Sequence, residues 1–260
     1  MIGFFVKKAF FDGWDNLFAL AAFNIVHLAL FILLIVLPIS LGIGDALSMA
    51  AIILGFLAIA QWQSITAFAM NGVSDYRSLG FKDTFAHFSS SWKPGLIVGA
   101  VNVALWFSIT VGIPFYLSQK GFLGLFLASL LFWTCLVALL ASQYYLPLEA
   151  RRGGGLKKNV RVAMILVLDN PGFTLFLFMH SAVSLVISAL TAFMAPGLAG
   201  IALASADAVK LRLMKYDWLE QNPEGDKKHL PWPDILKEEK EMVGERTLKG
   251  MIFPWKEGGK

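Results

Sequence analysis

Five uninterrupted apolar runs dominate this chain of 260 residues. Crossing a hydrocarbon core of about 30 Å takes roughly 20 residues of α-helix, and each run reaches that length. Only 15% of the residues are charged, whereas soluble domains carry about 25%. The sequence therefore predicts a polytopic membrane protein. The runs are Leu17 to Leu41, Ala46 to Met70, Pro94 to Leu117, Phe122 to Leu148 and Phe173 to Met194.

A sixth, weaker run extends from Leu198 to about Met214 and is interrupted by Asp207. Short cytoplasmic loops of membrane proteins collect Lys and Arg. With six spans both termini lie in the cytoplasm, and all but Lys120 of the 22 basic residues lie on that side. With five spans the basic tail would lie outside, against the bias of every other loop. The sequence therefore predicts an all-α bundle of six transmembrane helices with both termini cytoplasmic.

The charge pattern divides the chain into an interfacial N-terminal segment (1–16), a transmembrane bundle (17–214) and a soluble, charged cytoplasmic tail (215–260). Aromatic residues around Lys7 and Lys8 are typical of a helix on the membrane surface, but a plain extension of the first span fits equally. The tail predicts one helix, Pro233 to Arg246. An apolar patch around Phe253 and Trp255 predicts a contact with the protein's own cytoplasmic face, with lipid or with a partner; we favour the first.

Eight polar residues lie inside the predicted spans, where each costs free energy unless it is hydrogen-bonded or hydrated. All lie about 8 to 15 Å from the cytoplasmic end of their helix. Two interpretations remain open: hydrogen bonds between helices, or a polar cavity open to the cytoplasm, with Asp207 and a histidine as chargeable groups. The residues are Asn24, His27, Gln61, Gln63, Asn102, Gln143, His180 and Asp207.

The loop from Glu149 to Gly172 combines basic residues, three glycines and a predicted helix, Leu156 to Leu168, which Asn170-Pro171-Gly172 ends. Permeases of ABC importers dock their ATPase with a cytoplasmic Glu-Ala-Ala loop, and Glu149, Ala150, Gly155 and Ile165 fall at matching offsets. The alternative is a basic helix held to anionic lipid. The candidate partner or lipid contacts here are Glu149, Arg151, Arg152, Lys157, Lys158 and Arg161.

Enzymatic chemistry finds little support in the sequence. The four histidines form no His-x-x-x-His pair and the single cysteine lies in an apolar run, so we expect neither a metal site nor another cofactor. No P-loop or Gly-x-Ser-x-Gly motif occurs. The net charge of +4 does not indicate nucleic acid, because the basic residues follow the predicted membrane boundary.

A resemblance to a known family rests on three stretches: Ile65 to Met70, Phe81 to Phe85, and Trp92 to Gly99. Together they resemble the YesL-type family of bacterial inner-membrane proteins, which has an Ala-rich end to the second span, a Phe-bearing cytoplasmic helix and a basic entry to the third span. This chain differs by Gln61-Trp62, where the family tends to carry a proline, and by its long tail. The family's genes often accompany carbohydrate ABC importers, so the resemblance implies an accessory role in solute uptake.

The sequence thus favours a non-enzymatic accessory or scaffold protein of the bacterial inner membrane, in contact with lipid and with a transporter or other membrane-protein subunit. The alternative is a transporter subunit or small-solute carrier that uses a cytoplasm-facing polar cavity.

Overall fold

Helices form every regular element in the described part of the chain. The computed structural model describes residues 1–42, 44–80, 84, 86–226, 230–247 and 250, and these residues contain no strand. The predicted all-α class is therefore confirmed. The helices are α1 Ile2–Asp15, α2 Leu17–Ser40, α3 Asp45–Ser74, α4 Phe88–Ser118, α5 Phe122–Arg152, α6 Leu156–Asp169, α7 Pro171–Leu190, α8 Gly197–Gln221, α9 Trp232–Ile235 and α10 Lys237–Val243.

Five of these helices, α2, α3, α4, α5 and α7, are long and apolar enough to cross a membrane. Their outward side chains are apolar and open: Phe18 is 90% exposed, Phe122 83% and Leu190 85%. Soluble proteins rarely expose apolar surface so widely. The outer surface of the bundle therefore fits contact with lipid acyl chains.

Two of the spanning helices change their pitch just before a proline. A π-helical turn at Ile32–Val36 precedes Pro38 in α2, and another at Ser108–Gly112 precedes Pro114 in α4. Proline has no backbone N–H and its ring collides with the carbonyl four residues earlier. The wider π turn accommodates the proline locally, so each helix continues through it.

Helix α8 lies at the centre of the bundle, in contact with α1, α2, α3, α5 and α7. Ala202 to Val209 are all buried, because small side chains let neighbouring helices approach closely. Asn24 of α2 fixes its first turn: Asn24 Nδ2 donates to Pro196 O at 2.8 Å, and Asn24 Oδ1 accepts from Ala199 N at 2.9 Å. A side chain at Gly197 would overlap Asn24, so this close approach requires glycine.

Helix α1 and the tail helices α9 and α10 fold onto the same end of the bundle. The predicted tail begins inside α8, which continues to Gln221. The predicted tail helix is two shorter helices, α9 and α10, which bury Ile235, Leu236 and Val243. Phe81 to Asp83, Phe85, Phe253 and Trp255 lie outside the described residues, so the apolar patch near the C-terminus stays a prediction.

Candidate functional site

Only some of the eight polar residues predicted to share one layer lie close to one another. Asn24 and His27 line a common pocket of about 240 Å³ whose other lining residues are apolar. Gln61 lies against Gly95 of α4, and Gln143 Nε2 donates to Leu140 O of its own helix. Asn102 and Gln63 are half-buried.

His180 and Asp207 face the chain's N-terminal helix. The ring of His180 packs edge-on against Phe5, with centroids 5.4 Å apart. Asp207 is fully buried and therefore faces the interior, as the sequence led us to expect. It does not lie at the level of His27, because the eight residues from Ala199, which bonds Asn24, to Asp207 cover about 12 Å along α8.

Asp207 belongs to a buried group of charges that we call the ion cluster. Lys8 of α1 is fully buried at its centre. Lys8 Nζ lies 2.7 Å from Asp12 Oδ2, 3.3 Å from Glu239 Oε2 and 3.5 Å from Asp207 Oδ1. These contacts join α1, α8 and the tail helix α10 through one ammonium group. The ion cluster consists of Lys8, Asp12, Asp75, Arg151, Asp207, Lys210 and Glu239.

A second lysine extends the ion cluster to α3 and α5. Lys210 Nζ lies 2.6 Å from Glu239 Oε1 and 3.2 Å from Asp75 Oδ1. Arg151 holds the same Asp75 through both of its terminal nitrogens, at 3.0 and 3.1 Å from Oδ1. Both lysines also donate to Ser74 O, at 3.1 Å from Lys8 and 2.9 Å from Lys210. The last carbonyl of α3 thus receives two cations, which suits the negative end of the helix dipole.

The ring of Tyr76 contacts the ammonium groups of Lys8 and Lys210. The backbone of Tyr76 has an unusual conformation. It follows the end of α3 with φ +59°, in the left-handed region that favours glycine. Tyr76 N donates to Val73 O and Arg77 N to Gly72 O, the bonding pattern of a Schellman cap. The tyrosine ring lies 4.0 Å from Lys8 Nζ and 4.8 Å from Lys210 Nζ, and its hydroxyl donates to Glu239 Oε2 at 2.9 Å. These contacts give a physical reason for tyrosine at a strained position.

The charges of the ion cluster shift the acidities of its members outside the spans. Burial alone would lower the pKa of Lys8, but the carboxylates of Asp207 and Asp12 outweigh it, and the pKa is raised. Burial alone would raise the pKa values of Asp75 and Glu239. At Asp75 the positive charges of Arg151 and Lys210 outweigh burial, so its pKa is lowered. At Glu239 the positive charges of Lys210 and Lys8 do the same, so its pKa is also lowered.

Asp12 differs from Asp75 and Glu239 in the direction of its pKa shift. Burial raises the pKa of Asp12 despite its contact with Lys8. The ion cluster holds four carboxyl groups and three cations, so it is one positive charge short when every group is ionised. A proton on Asp12 would remove that imbalance, which buried charges strongly favour.

The tail is attached to α1 by further contacts beside the ion cluster. Lys7 Nζ donates to Gly244 O at 2.8 Å, and Arg246 pairs with Asp15 at 2.7 Å. The guanidinium of Arg246 also lies 4.6 Å from the centre of the Phe11 ring. Helix α1 is therefore enclosed between α8 on one side and the tail on the other.

The predicted contact residues of the basic loop divide into two groups. Asn159 Nδ2 donates to Glu149 Oε2 and, at 2.8 Å, to Gly153 O, which closes the glycine turn. Arg151 is bound to Asp75, and Arg152 lies 3.9 Å from Asp217. In contrast, Lys157, Lys158 and Arg161 are exposed along α6.

The sequence singles out Asp207 and Arg151 for other roles, as a cavity residue and as a partner or lipid contact, and does not predict the ion cluster. It gives no role in a site to Lys8, Asp12, Asp75, Lys210 or Glu239, and Lys210 falls within the predicted sixth span. One local signal was available, since Lys8 and Asp12 are four residues apart on α1 and such pairs face each other on a helix.

No family model, curated protein or solved structure matches this chain.

Proposed function

We propose that this chain is a non-enzymatic integral-membrane accessory protein whose two ends form one preformed docking surface for a membrane-protein partner. The observation that carries the proposal is the ion cluster, which fixes α1 and α10 to the bundle through Lys8, Asp207 and Glu239. Burying so many charges is costly unless their geometry is maintained. A rigid surface built from both chain ends suits a scaffold.

The proposal includes a sixth crossing by α8. At 25 residues this helix extends about 37 Å, enough to cross the hydrocarbon core. The contacts of α1 with α10 and with Gly244 support a fold in which α1 and α10 lie on one side of the membrane, which requires an even number of crossings between them. Five helices qualify by length and composition, and α8 supplies the sixth. Its charged residues Asp207, Arg212 and Lys215 are buried among the surrounding helices, whereas Asp217 and Glu220, near its C-terminal end, are exposed.

The same proposal places both ends in the cytoplasm of a bacterial inner membrane. Its support is the positive-inside bias, since the basic residues of the loops and tail gather at this end. The resemblance to the YesL-type family supplies the partner class, a transporter subunit for solutes such as carbohydrates. Glu149 and Arg151 make contacts within the chain, so we base the partner surface on the chain ends rather than on an ATPase-docking loop.

Two matched variants test this function. Glu239→Gln removes a charge that holds the tail, and Glu238→Gln removes a charge from an exposed neighbour on the same helix. We expect one membrane protein to copurify in fixed ratio with the wild type and with Glu238→Gln, and to be lost with Glu239→Gln. Equal recovery with both variants, or no partner in native membranes, would contradict the proposal.

A carrier function is the alternative, and one observation favours it: neither oxygen of Asp207 accepts a hydrogen bond although the residue is fully buried. A buried carboxylate that lies 3.5 Å from Lys8 could exchange a proton during transport. Reconstituted protein would then take up labelled monosaccharides in response to a proton gradient, and Asp207→Asn would abolish that uptake. Absence of gradient-driven uptake by the wild type would remove this alternative.

A further inference from the structure

An apolar groove of about 310 Å³ lies between α4, α5 and α6, away from the ion cluster. Its wall on α5 extends from Thr134 to Tyr145, about 16 Å along the helix. This length matches the hydrocarbon layer of one leaflet, about 15 Å. The groove therefore has the length and the chemistry to hold a single acyl chain.

One polar atom in the groove has no partner. Tyr145 is 5% exposed and lines the groove, yet its Oη makes no hydrogen bond in the described structure. Its neighbour Tyr144 is satisfied by Thr174, 2.9 Å away. A buried hydroxyl that loses water without a replacement is costly. Tyr145 lies seven residues before the end of α5, about 10 Å along the helix, and it is the groove-lining residue of α5 nearest to that end.

Basic residues border the same end of the groove. Leu156, Val160 and Met164 of α6 line it and are separated by one helical turn each. Lys157 and Arg161 are exposed, and each directly follows a groove-lining residue in the sequence. Because successive residues of an α-helix are 100° apart, both side chains lie beside one edge of the groove. Lys158 lies on the opposite face of α6, over Gly154. Two of the three exposed cations are thus placed for a headgroup at the mouth of the groove.

We propose that this groove is a binding site for one anionic glycerophospholipid. The acyl chain fills the space between α4, α5 and α6, the phosphate pairs with Lys157 and Arg161, and the Tyr145 hydroxyl, which is shielded in this structure, turns to donate to an ester carbonyl. The three observations are independent: an apolar slot of one leaflet's depth, an unpaired buried hydroxyl, and cations at one edge. This site goes beyond the proposed docking function and does not depend on it.

Native mass spectrometry of the purified full-length protein tests the site, with phosphatidylglycerol and phosphatidylcholine of identical acyl chains as probes. We expect one phosphatidylglycerol to bind more tightly than phosphatidylcholine. Each cation near an anionic lipid strengthens binding about fivefold, so Lys157→Ala with Arg161→Ala should weaken phosphatidylglycerol binding about 25-fold and remove the preference. Lys158→Ala is the matched control and should keep most of the preference for phosphatidylglycerol.

Two further variants separate the groove from general surface charge. Ala138→Trp fills the groove and should prevent binding of both lipids, whereas Ala104→Trp, on an exposed face of α4 that does not line the groove, should not. Tyr145→Phe changes only the hydroxyl and should weaken both lipids equally. A thermal melt of each variant establishes that it is folded.

Three outcomes would overturn the assignment. Equal binding of the two lipids would remove the role of the cations, and equal losses for Lys158→Ala and for the double variant would leave only unspecific charge attraction. A dimer that Ala138→Trp converts to a monomer would show that a second copy of the chain, not a lipid, covers the groove.

Discussion

The two halves of the bundle are held together by different forces. At the end that carries the chain termini, the largest apolar core joins α1, α5, α6, α7, α8 and the tail, beside the ion cluster. At the opposite end, helix segments such as Ile32 to Leu41 and Phe122 to Phe126 are mostly exposed. Lipid can pack against the apolar side chains of the opposite end in place of a protein core. Lipid acyl chains cannot pair with the buried charges of the ion cluster. The difference indicates that specific structure is concentrated where the chain ends meet.

The largest effect should follow from removing the central cation of the ion cluster. Lys8→Met leaves Asp12, Asp207 and Glu239 without their shared partner, and breaking a buried ion pair in this way costs about 3–5 kcal/mol. Chemical denaturation of the purified protein in detergent measures the change. Lys158→Ala, at an exposed site, should change the free energy of unfolding by less than about 0.5 kcal/mol. Similar values for the two variants would mean that the ion cluster does not stabilise the fold.

Glu239→Gln should have an intermediate and pH-dependent effect. The loss of hydrogen bonds to charged groups costs about 2 kcal/mol at neutral pH. Because the pKa of Glu239 is lower in the folded protein than its ordinary value, its contribution is present above that ordinary value and falls as the pH drops through the folded value.

Thermal unfolding of the wild type and of Glu239→Gln across pH checks this dependence. The two melting temperatures should differ at pH 7 and converge only as the pH falls below the lowered pKa of Glu239 in the folded protein. Both proteins should lose further stability at low pH as Asp75 becomes protonated, since its pKa is also lowered. A difference that persists unchanged into strong acid would show that the charge of Glu239 is not what stabilises the tail.

Tyr76→Phe should have a smaller effect. The phenylalanine ring keeps its position beneath the two lysines, so only the hydrogen bond to Glu239 is lost, at about 1 kcal/mol. Denaturation by the same method measures it. The combination with Glu239→Gln should cost less than the two single effects added together, because both variants remove the same contact. Strict additivity would show that the hydroxyl acts elsewhere.

The smallest effect belongs to the lipid-facing surface. Leu130→Ala on α5, at a side chain that is 54% exposed, should change stability by less than about 0.5 kcal/mol. Leu140→Ala on the same helix removes a side chain that is 8% exposed and should cost about 2–5 kcal/mol. A comparison of the two melting temperatures tests the contrast between the two halves, and equal losses would contradict it.

The sequence predicts the helices better than it predicts the site. Run length locates the five long spans because a bilayer sets their minimum length. Asn-Pro-Gly marks the end of α6 because proline cannot continue a helix. The ion cluster cannot be predicted in the same way, since Lys8, Asp75 and Glu239 come from distant parts of the chain and meet only after the helices pack. The tail lies between these two cases. The sequence predicts a helix near residue 233, but it does not predict that the helix is interrupted at Leu236, which is buried in the folded protein.

The central claim is that the two ends of the chain pack together on one side of the membrane. Cysteines at Lys7 and Glu241, in a chain whose Cys135 is replaced by serine, test it in intact inner-membrane vesicles of known orientation. We predict that a membrane-impermeant maleimide reaches both positions only from the cytoplasmic side, and that a short bismaleimide links them in the wild-type cluster but less in the Lys8→Met variant. Labelling of the two cysteines from opposite sides would contradict the shared face, the sixth crossing and the docking function together.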